Sequence, residues 1–446
     1  MATKAKIEPY VRTEMAPTMP APASTTGIMG WMRLHLFSDV PNTILTLVGL
    51  YITYLFLSTI LDWGFMRAVW TGENNQACLN NDEQGIIVGA CWAFVRAKFA
   101  TFIYGPYPLE ERWRVDIAML VGAIGLAWVL IENLPWRKWA CLFMAGVYPV
   151  MALILLTGGN FGVESGSWKL LAFLTIVALA ASAVFIIRAQ TTGSDVDVAS
   201  VLMVPAAILA YIFVLYFLVD FSFGLVAVET SLWGGLLVTL VVAITGIVAS
   251  LPIGILLALG RRSTMPAVRM ASVIFIEFWR GVPLITVLFM SSVMLPLFLP
   301  EGVNFDKLLR CLIGVALFSA AYMAEVVRGG LQAIPKGQYE GAQALGLPYW
   351  KMMGLIVLPQ ALKLVIPGIV NTFIGLFKDT TLVLIIGLFD LLGIIQREVG
   401  ADANWFAPST HMTGLVFAGI VFWVFCFGMS RYSIFMENKL HTGHKR

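Results

Sequence analysis

The chain has 446 residues, of which 59% are apolar and only 12% are charged, and its mean hydropathy is +0.84. Soluble globular proteins are nearer to about half apolar and about a quarter charged, so this chain has too little polar surface to cover a water-soluble fold. The composition therefore excludes a soluble enzyme, a disordered chain and a fibrous repeat, and it predicts an all-α protein that crosses a membrane many times. The net charge of +3 gives no reason to expect a nucleic-acid partner.

Ten apolar runs are long enough to cross a bilayer, since a spanning helix needs about 20 mostly apolar residues. Their approximate bounds are 42–61, 115–133, 139–158, 170–187, 200–219, 234–259, 268–295, 308–327, 361–395 and 411–430. The ninth run is interrupted by Pro367, Gly368, Lys378 and Asp379, so we expect it to bend or break. The sequence thus predicts a polytopic membrane protein with about ten transmembrane helices.

Lysine and arginine fall on one side of this predicted topology if both termini are cytoplasmic. They precede the first run, recur at every second turn and follow the last run, as at Arg137, Arg188, Arg262, Lys336 and Arg431. This agreement favours ten spans over nine or eleven. The start of the chain lacks the apolar core of a signal peptide, so we expect residues 1–36 to be a flexible cytoplasmic tail. The long loop 62–114 is then expected on the opposite, periplasmic side of the membrane.

Two of the five cysteines, Cys78 and Cys91, fall in the loop 62–114. Disulfides form in oxidising compartments outside the cytoplasm, so this pair is a candidate disulfide. The alternative is that both thiols stay unpaired. The other three cysteines lie in apolar runs, where a cysteine is most simply a small buried side chain.

The most informative stretch is the polar loop 329–360, between the eighth and ninth runs. Pro335 suits the first turn of a helix, whereas Gly346 suits its end and Pro348 prevents simple continuation. We therefore expect a helix of roughly ten residues, a turn and a second short helix. So short a helix is marginal by itself and needs a surface on which to dock.

Both small and apolar residues are available for such docking. Gly341, Ala342 and Ala344 are expected to form a small-residue face that permits close approach. Apolar contacts are expected from three larger side chains, Tyr339, Leu345 and Trp350.

The residues Glu340-Gly341-Ala342, then Gly346, then Ile356-Val357-Leu358-Pro359 resemble the loop motif of permease subunits of bacterial ATP-binding-cassette (ABC) importers. In that motif alanine is usual where this chain has glycine at position 341. Three further stretches resemble the polar amino acid branch of the family: EFWRGVPL at 277–284, AYMAEVVRGG at 321–330 and KDTTL at 378–382. The stretches GACW at 89–92 and ERWR at 111–114 are similar to the larger permease subunit of a general L-amino acid importer.

The resemblance implies a domain organisation. It implies an N-terminal membrane extension over 37–220 and a type I ABC importer permease domain over 221–440, each of about five helices. Within the permease domain, the loop 329–360 would contain the coupling helix, which seats in the ATPase. The residues implied in this coupling are Tyr339, Glu340, Gly341, Ala342, Gly346, Leu358 and Pro359.

The resemblance also implies partners. They are a cytoplasmic ABC ATPase dimer, a second homologous permease subunit, a periplasmic amino-acid-binding protein and the lipid bilayer of the bacterial inner membrane. The chain itself would carry no cofactor, because ATP and magnesium would be held by the ATPase.

Charged residues inside apolar runs lie beside residues that break helices. Ionisable groups in spans are costly and suggest function, and broken helices hold substrates in transporters. A carboxylate suits a substrate ammonium, and a cation suits a substrate carboxylate. The candidates for a substrate pathway are Glu277, Arg280, Gly281, Pro283, Lys378 and Asp379. The alternative is that each carboxylate pairs with the nearest cation of its own run, only to permit burial.

Motifs for enzymatic chemistry are missing from the sequence. It has no phosphate loop, no cysteine–histidine metal pattern and no hydrolase elbow or zinc-protease helix, so we expect no catalytic residue and no metal site. A self-sufficient amino acid transporter driven by an ion gradient is the main alternative, but it should show an internal repeat. A membrane scaffold would not need charges beside helix breaks. The best interpretation is a permease subunit of an amino acid ABC importer.

Overall fold

The computed structural model describes residues 27–80, 87–131, 133–159, 223–300 and 305–440. Within these ranges the chain is almost entirely helical, and its only strand there, β1 (Phe389–Asp390), has two residues. The chain divides into two compact units, Met1–Val69 with Asn80–Ala90, and Trp70–Leu79 with Cys91–Arg446. All the candidate coupling and pathway residues lie in the second unit.

The first unit contains α1 (Gly27–His35) and α2 (Val40–Leu61), and α2 continues as a π-helical turn to Met66. The Asp39 side chain starts α2 by accepting the backbone N–H of Asn42 at 2.8 Å. The stretch Val40–Met66 is long and apolar enough to span a membrane, as predicted for the first run.

Helix α1 differs from our expectation of a flexible tail over 1–36. Its nine residues are helical because Ile28, Trp31 and Met32 recur at helical spacing. The rest of the expected tail, residues 1–26, lies outside the described residues.

The second unit contains the remaining helices. In chain order they are α3 (Trp92–Tyr104), α4 (Arg112–Leu130), α5 (Arg137–Leu142), α6 (Tyr148–Thr157), α7 (Gly235–Arg261), α8 (Pro266–Gly281), α9 (Leu284–Phe289), α10 (Leu295–Phe298), α11 (Lys307–Ala333), α12 (Lys336–Ala344), α13 (Tyr349–Met352), α14 (Leu358–Leu364), α15 (Ile366–Asp379), α16 (Leu391–Ala401) and α17 (Pro408–Leu440). Helix α3 shows that the long loop predicted over 62–114 is partly helical.

Seven helical stretches among the described residues are long and apolar enough to span a membrane, or eight if α8 and the stretch from α9 to α10 form one broken span. Counted with the broken span, they correspond to eight of the ten predicted spans. The other two predictions, 170–187 and 200–219, lie outside the described residues. The opening predicted at Gly281 and Pro283 is confirmed, because the chain bends by 104° there; Pro283 has no N–H to continue the helical hydrogen bonds.

The ninth predicted span, 361–395, is shorter in the structure. It begins anew at α15 and continues as a 3-10 helix, Thr380–Ile386, which ends at Gly387 with a φ of +74°. Asp390 then caps α16 by accepting the N–H of Gly393 at 2.9 Å. Hydropathy alone did not separate this apolar, capped helix from the span that precedes it.

Among the described residues of the second unit, the most extensive packing between two helices is that of α7 against α11. A Cβ at Gly254 of α7 would lie only 2.7 Å from the Cβ of Met323 on α11, so glycine permits the close approach. Helix α7 has 27 residues and is therefore about 40 Å long. Its two ends lie in different surroundings.

At the N-terminal end of α7, Gly234 and Gly235 pair with β1, and a hydrophobic cluster joins Leu237 to Tyr107 and Val115 of the N-terminal extension. A second cluster surrounds the C-terminal end of α7 and includes the loop that contains α12. The described residues 91–159 of the extension and the residues after 223 thus belong to one compact unit.

Residues 70–79 and 91–104, which we name the disulfide clasp, hold the loop between α16 and α17. The structure bonds Cys78 to Cys91, with a Cα–Cα distance of 5.7 Å. The side-chain amide of Asn75 donates to the backbone carbonyls of Ala403 and Phe406, at 3.3 and 3.0 Å. The hydroxyl of Ser409 donates to the carbonyl of Cys78 at 2.7 Å.

An ion-pair cluster completes the disulfide clasp. Nζ of Lys98 on α3 lies 3.1 Å from a carboxylate oxygen of Glu398 and 2.5 Å from one of Asp402. The hydrogen bond from Lys98 holds the pKa of Asp402 below its usual value. These contacts join segments that are about 300 residues apart in the sequence, which local pattern analysis cannot detect.

Candidate functional site

The loop between α11 and α14 has the predicted helix, turn and second short helix. Pro335 precedes α12, and Gly346, two residues after its end, has a φ of +70°. The N–H groups of Gly346 and Leu347 donate to the carbonyls of Gln343 and Ala342, at 2.9 and 3.2 Å. This is the hydrogen-bonding pattern of a helix that stops at a left-handed glycine.

One face of α12 attaches the helix to its own compact unit. Ala342 is buried in the hydrophobic cluster at the C-terminal end of α7. The hydroxyl of Tyr339 donates to the carbonyl of Leu331 at 3.2 Å and accepts from Nη1 of Arg262 at 2.9 Å. Tyr339 and Ala342 are three residues apart and therefore share a face. Both are among the residues that the resemblance implies in coupling, and in the structure their side chains contact this chain's own helices.

The other side of the loop is exposed. Glu340, Gly341 and Ala344 face outwards on α12. Just beyond them lies a group of large apolar side chains, which we name the exposed loop face: Leu345, Tyr349, Trp350 and Leu355, with exposed fractions of 77, 46, 64 and 71%. Exposed apolar groups clustered on a polar loop mark an interaction site.

The remaining two residues of the loop motif begin the next helix. Leu358 is half-buried and Pro359 is exposed in the first turn of α14. Pro359 comes directly after a π-helical turn, Met353–Val357, that leads into α14 without a break.

A network of charged side chains lies close to the same end of α7. Nη1 of Arg261 contacts Oε1 of Glu325 at 2.7 Å and Oε1 of Glu277 at 3.0 Å. Arg328 donates to Glu325 at 2.7 Å, and a guanidinium nitrogen of Arg280 lies 3.9 Å from the same carboxylate. Glu325 thus faces three arginines, whereas Glu277 contacts Arg261 and not Arg280, the partner that the alternative interpretation gave it.

The candidate pathway residues are unusually exposed for a membrane-spanning chain. The side chains of Glu277 and Arg280 are 55% and 37% exposed, and Gly281 and Pro283 beside them are exposed as well. Charged side chains within a membrane protein do not face lipid; they face protein or water. This surface is therefore expected to meet another protein or an aqueous passage.

The second candidate group lies on α15. Lys378 is exposed and Asp379 is half-buried. Among the ion pairs formed by the described residues, none joins Lys378 to Asp379. The structure therefore brings Glu277 and Arg280 into one charge network but does not add Lys378 and Asp379 to it.

A shallow apolar groove borders the bend between α8 and α9. Its volume is about 450 Å³, and it is lined by Ile285, Thr286, Phe289, Met290 and Ile385. With so few polar groups it does not suit a charged ligand. Across the described ranges, no three histidine, cysteine, aspartate or glutamate side chains are grouped so that they could hold a metal ion.

The sequence interpretation missed the roles of Arg261 and Arg262. Arg262 entered only as one of the positive charges that set the orientation of the chain. Two successive arginines at the end of an apolar run were the available signal. Their partners follow only from the tertiary contacts of α7.

Comparisons with known proteins agree with this architecture. The family model of binding-protein-dependent transport system inner membrane components matches residues 250–439. The inner membrane amino-acid ABC transporter permease protein YhdY of Escherichia coli is 44% identical over 427 residues, which cover 96% of this chain and 97% of that protein. The glutamate/glutamine/aspartate/asparagine transport system permease protein BztC of Rhodobacter capsulatus is 43% identical over 454 residues, which cover 98% of this chain and 99% of that protein.

Among solved structures, the crystal structure of an amino acid ABC transporter with histidines has a TM-score of 0.40 and 26% identity, and it covers 46% of this chain and 92% of that chain. The family model includes the loop with α12 and all five residues of the charge network. The similarity to the two named permeases extends through the N-terminal extension as well. The chain therefore belongs to the family of ABC transporter permeases that are the inner membrane components of binding-protein-dependent transport systems.

Proposed function

We propose that this chain is a permease subunit of an ABC importer that carries L-amino acids across the bacterial inner membrane. The observation that carries the proposal is the exposed loop face beside α12, which lies between two membrane-spanning helices. An ABC permease works with an ATPase and a binding protein, and an exposed apolar loop is a suitable surface for the ATPase. The names of the two similar permeases, which refer to amino acids, support the substrate class.

In this proposal the coupling loop has two sides with different tasks. A cytoplasmic ATPase dimer contacts Glu340, Gly341 and the exposed loop face, while Tyr339 and Ala342 keep α12 attached to the permease. Gly346 provides the turn between the two short helices. ATP and magnesium bind to the ATPase, and this chain supplies the contact through which their energy enters.

The proposed substrate pathway uses the exposed charged surface. Glu277 and Arg280 lie beside the bend between α8 and α9, and Lys378 and Asp379 lie near the end of α15. A carboxylate attracts the ammonium of a zwitterionic amino acid, and a cation attracts its carboxylate. A second, homologous permease subunit would cover this surface, since charged groups there need protein or water rather than lipid.

Co-purification tests the proposed ATPase contact. The chain is expressed with its ATPase, and Trp350→Asp places a charge at an exposed apolar position without disturbing a buried one. We expect the ATPase to purify with the wild-type chain and to be lost from this variant. Phe406→Asp is the matched control, because Phe406 is an exposed aromatic residue at the other end of α7. Equal recovery of the ATPase with both variants would contradict the proposal.

Uptake measurements test the pathway. Glu277→Gln removes charge with little change in size, and Arg280→Gln removes charge with a shorter polar side chain. We expect each to weaken the uptake of a mixture of radiolabelled L-amino acids at normal expression. The half-saturating concentration should rise because a charged contact with the substrate is lost. Unchanged affinity and rate in both variants would remove these residues from the pathway.

A further inference from the structure

Helix α7 ends in two successive arginines that contact different parts of the molecule. Arg261 is the last residue of the helix and Arg262 is the residue that caps it. Their hydrogen bonds and ion pairs go to Leu331 and Tyr339 on one side and to Glu277 and Glu325 on the other. These contacts join the coupling loop to the broken span.

Arg262 contacts α12. Its Nη1 donates to the carbonyl of Leu331 at 2.8 Å and to the hydroxyl of Tyr339 at 2.9 Å. Its guanidinium also lies over the Tyr339 ring, 5.4 Å from the ring centre. A planar guanidinium that donates two hydrogen bonds and stacks on a ring fixes orientation as well as distance.

Arg261 contacts α8, the helix that precedes the bend. Its Nη1 lies 3.0 Å from Glu277, and it also lies 2.7 Å from Glu325 on α11. Charge-assisted hydrogen bonds are about twice as strong as neutral ones, and Arg261 is mostly covered, with 24% of its side chain exposed. This pair of contacts ties α7, α8 and α11 together at one end.

These contacts form a continuous chain from Tyr339 through Arg262 and Arg261 to Glu277. The two arginines are joined by a single peptide bond, so a displacement of one backbone moves the other. We propose that Arg261 and Arg262 are positioning residues that transmit the movement of α12 to the broken span formed by α8 and α9. This inference rests on the proposed function and adds to it the route by which ATP hydrolysis moves the substrate pathway.

The test separates binding of the ATPase from the coupling of its activity to transport. The complex of the chain with its ATPase is reconstituted in proteoliposomes, with binding protein and a mixture of radiolabelled L-amino acids outside. Uptake and ATP hydrolysis are measured in the same vesicles for wild type, Arg262→Met and Tyr339→Phe. The ratio of amino acid carried to ATP hydrolysed reports coupling.

We expect both variants to retain the ATPase during purification, because the exposed loop face is unchanged. The coupling ratio should fall at least five-fold in Arg262→Met, and less in Tyr339→Phe, which keeps the ring under the guanidinium. The double variant should be no worse than Arg262→Met, because both changes break the same link. Arg269→Met is the control, since Arg269 is an exposed arginine on the next helix, and its ratio should match the wild type.

An unchanged coupling ratio in Arg262→Met would overturn the inference, as would an equal loss in Arg269→Met. If Arg262→Met does not accumulate, Tyr339→Phe carries the test alone, because it removes a single oxygen atom. Loss of the ATPase from Arg262→Met alone would also overturn the inference, because the arginine would then be needed for binding. Failure of the wild-type chain to retain the ATPase would instead contradict the proposed function itself.

Discussion

Gly341 occupies the position at which the related loop motif has alanine, and the structure has room for that side chain. A Cβ at Gly341 meets nothing within 4 Å, and the residue lies inside α12. Since glycine in a helix costs up to about 1 kcal/mol relative to alanine, we expect Gly341→Ala to stabilise α12 by roughly that amount. Hydrogen exchange of the α12 amides in the chain without its ATPase should slow about five-fold.

Gly346 provides the contrasting case. Its φ of +70° is costly for any residue with a Cβ, so Gly346→Ala should destabilise the turn by about 1 kcal/mol and accelerate exchange in α12. Equal exchange rates in Gly341→Ala and Gly346→Ala would contradict this account of the loop.

Asp390 is a buried carboxylate that sequence analysis did not single out. It accepts the N–H groups of Leu392 and Gly393 at the start of α16, and burial raises its pKa to about 6 from an ordinary value of 3.8. The carboxyl group of Asp390 therefore binds its proton more tightly in the folded protein than in the unfolded chain. Its contribution to stability falls as the pH rises from about 4 to about 6, by up to about 3 kcal/mol.

Asp390→Asn tests this pH dependence. Asparagine keeps an oxygen that can cap α16 but does not ionise. The free energy of unfolding of the variant, measured relative to the wild type, should therefore increase between pH 4 and pH 7. A difference between the two proteins that is independent of pH would contradict a raised pKa for Asp390. Thermal unfolding in detergent at several pH values supplies the measurement.

The disulfide clasp shows how a helix of the extension is fixed to a distant loop. The Cys78–Cys91 bond closes a loop with a sequence separation of 13, and a crosslink over such a length contributes about 3 kcal/mol. We expect Cys78→Ser with Cys91→Ser to lower the thermal midpoint and to expose residues 70–104 to proteolysis. Added reductant should have the same effect on the wild type.

The control for this experiment is Cys141→Ser, since Cys141 is an exposed free cysteine. Its thermal midpoint should equal that of the wild type and should respond to reductant in the same way. If the double serine variant had the same thermal midpoint as the wild type, the crosslink would have no structural role in the disulfide clasp.

Elements defined by local sequence were predictable, and those defined by distant contacts were not. Pro335 and Gly346 marked the ends of α12 because helix termini depend on the residues present there. The ninth span was drawn too long, because an N-cap aspartate and a left-handed glycine inside an apolar run leave its hydropathy almost unchanged. The partners of Lys98 and Arg262 required the packed helices, since each contact joins residues far apart in the chain.

The same division applies to the candidate site. The loop motif predicts which residues would meet a partner, but it does not distinguish the attached face with Tyr339 and Ala342 from the exposed one. Charge patterning singled out Glu277 and Arg280 as pathway candidates, with pairing between them as the alternative, but it could not supply the contact that Glu277 makes with Arg261. Arg261 pairs with Glu277 in the structure because α7 and α8 pack against each other.

The second unit as a whole is organised around α7. The disulfide clasp lies at the end where Gly234 and Gly235 pair with β1, and the loop that contains α12 lies at the other end, about 40 Å away. The chain is a multi-pass protein of the inner membrane, so a helix of this length separates the two sides of the bilayer. The proposed function assigns the cytoplasm to the coupling loop and to both termini, and the periplasm to the disulfide clasp.

The most direct test of this account is the accessibility of position 344 from each side of the membrane. Ala344→Cys, in a chain whose free cysteines Cys141, Cys311 and Cys426 are replaced by serine, is treated with a membrane-impermeant maleimide. The account predicts labelling in inverted membrane vesicles, protection when the ATPase is bound, and no labelling in intact spheroplasts. Labelling in spheroplasts, or labelling that the bound ATPase does not reduce, would contradict it.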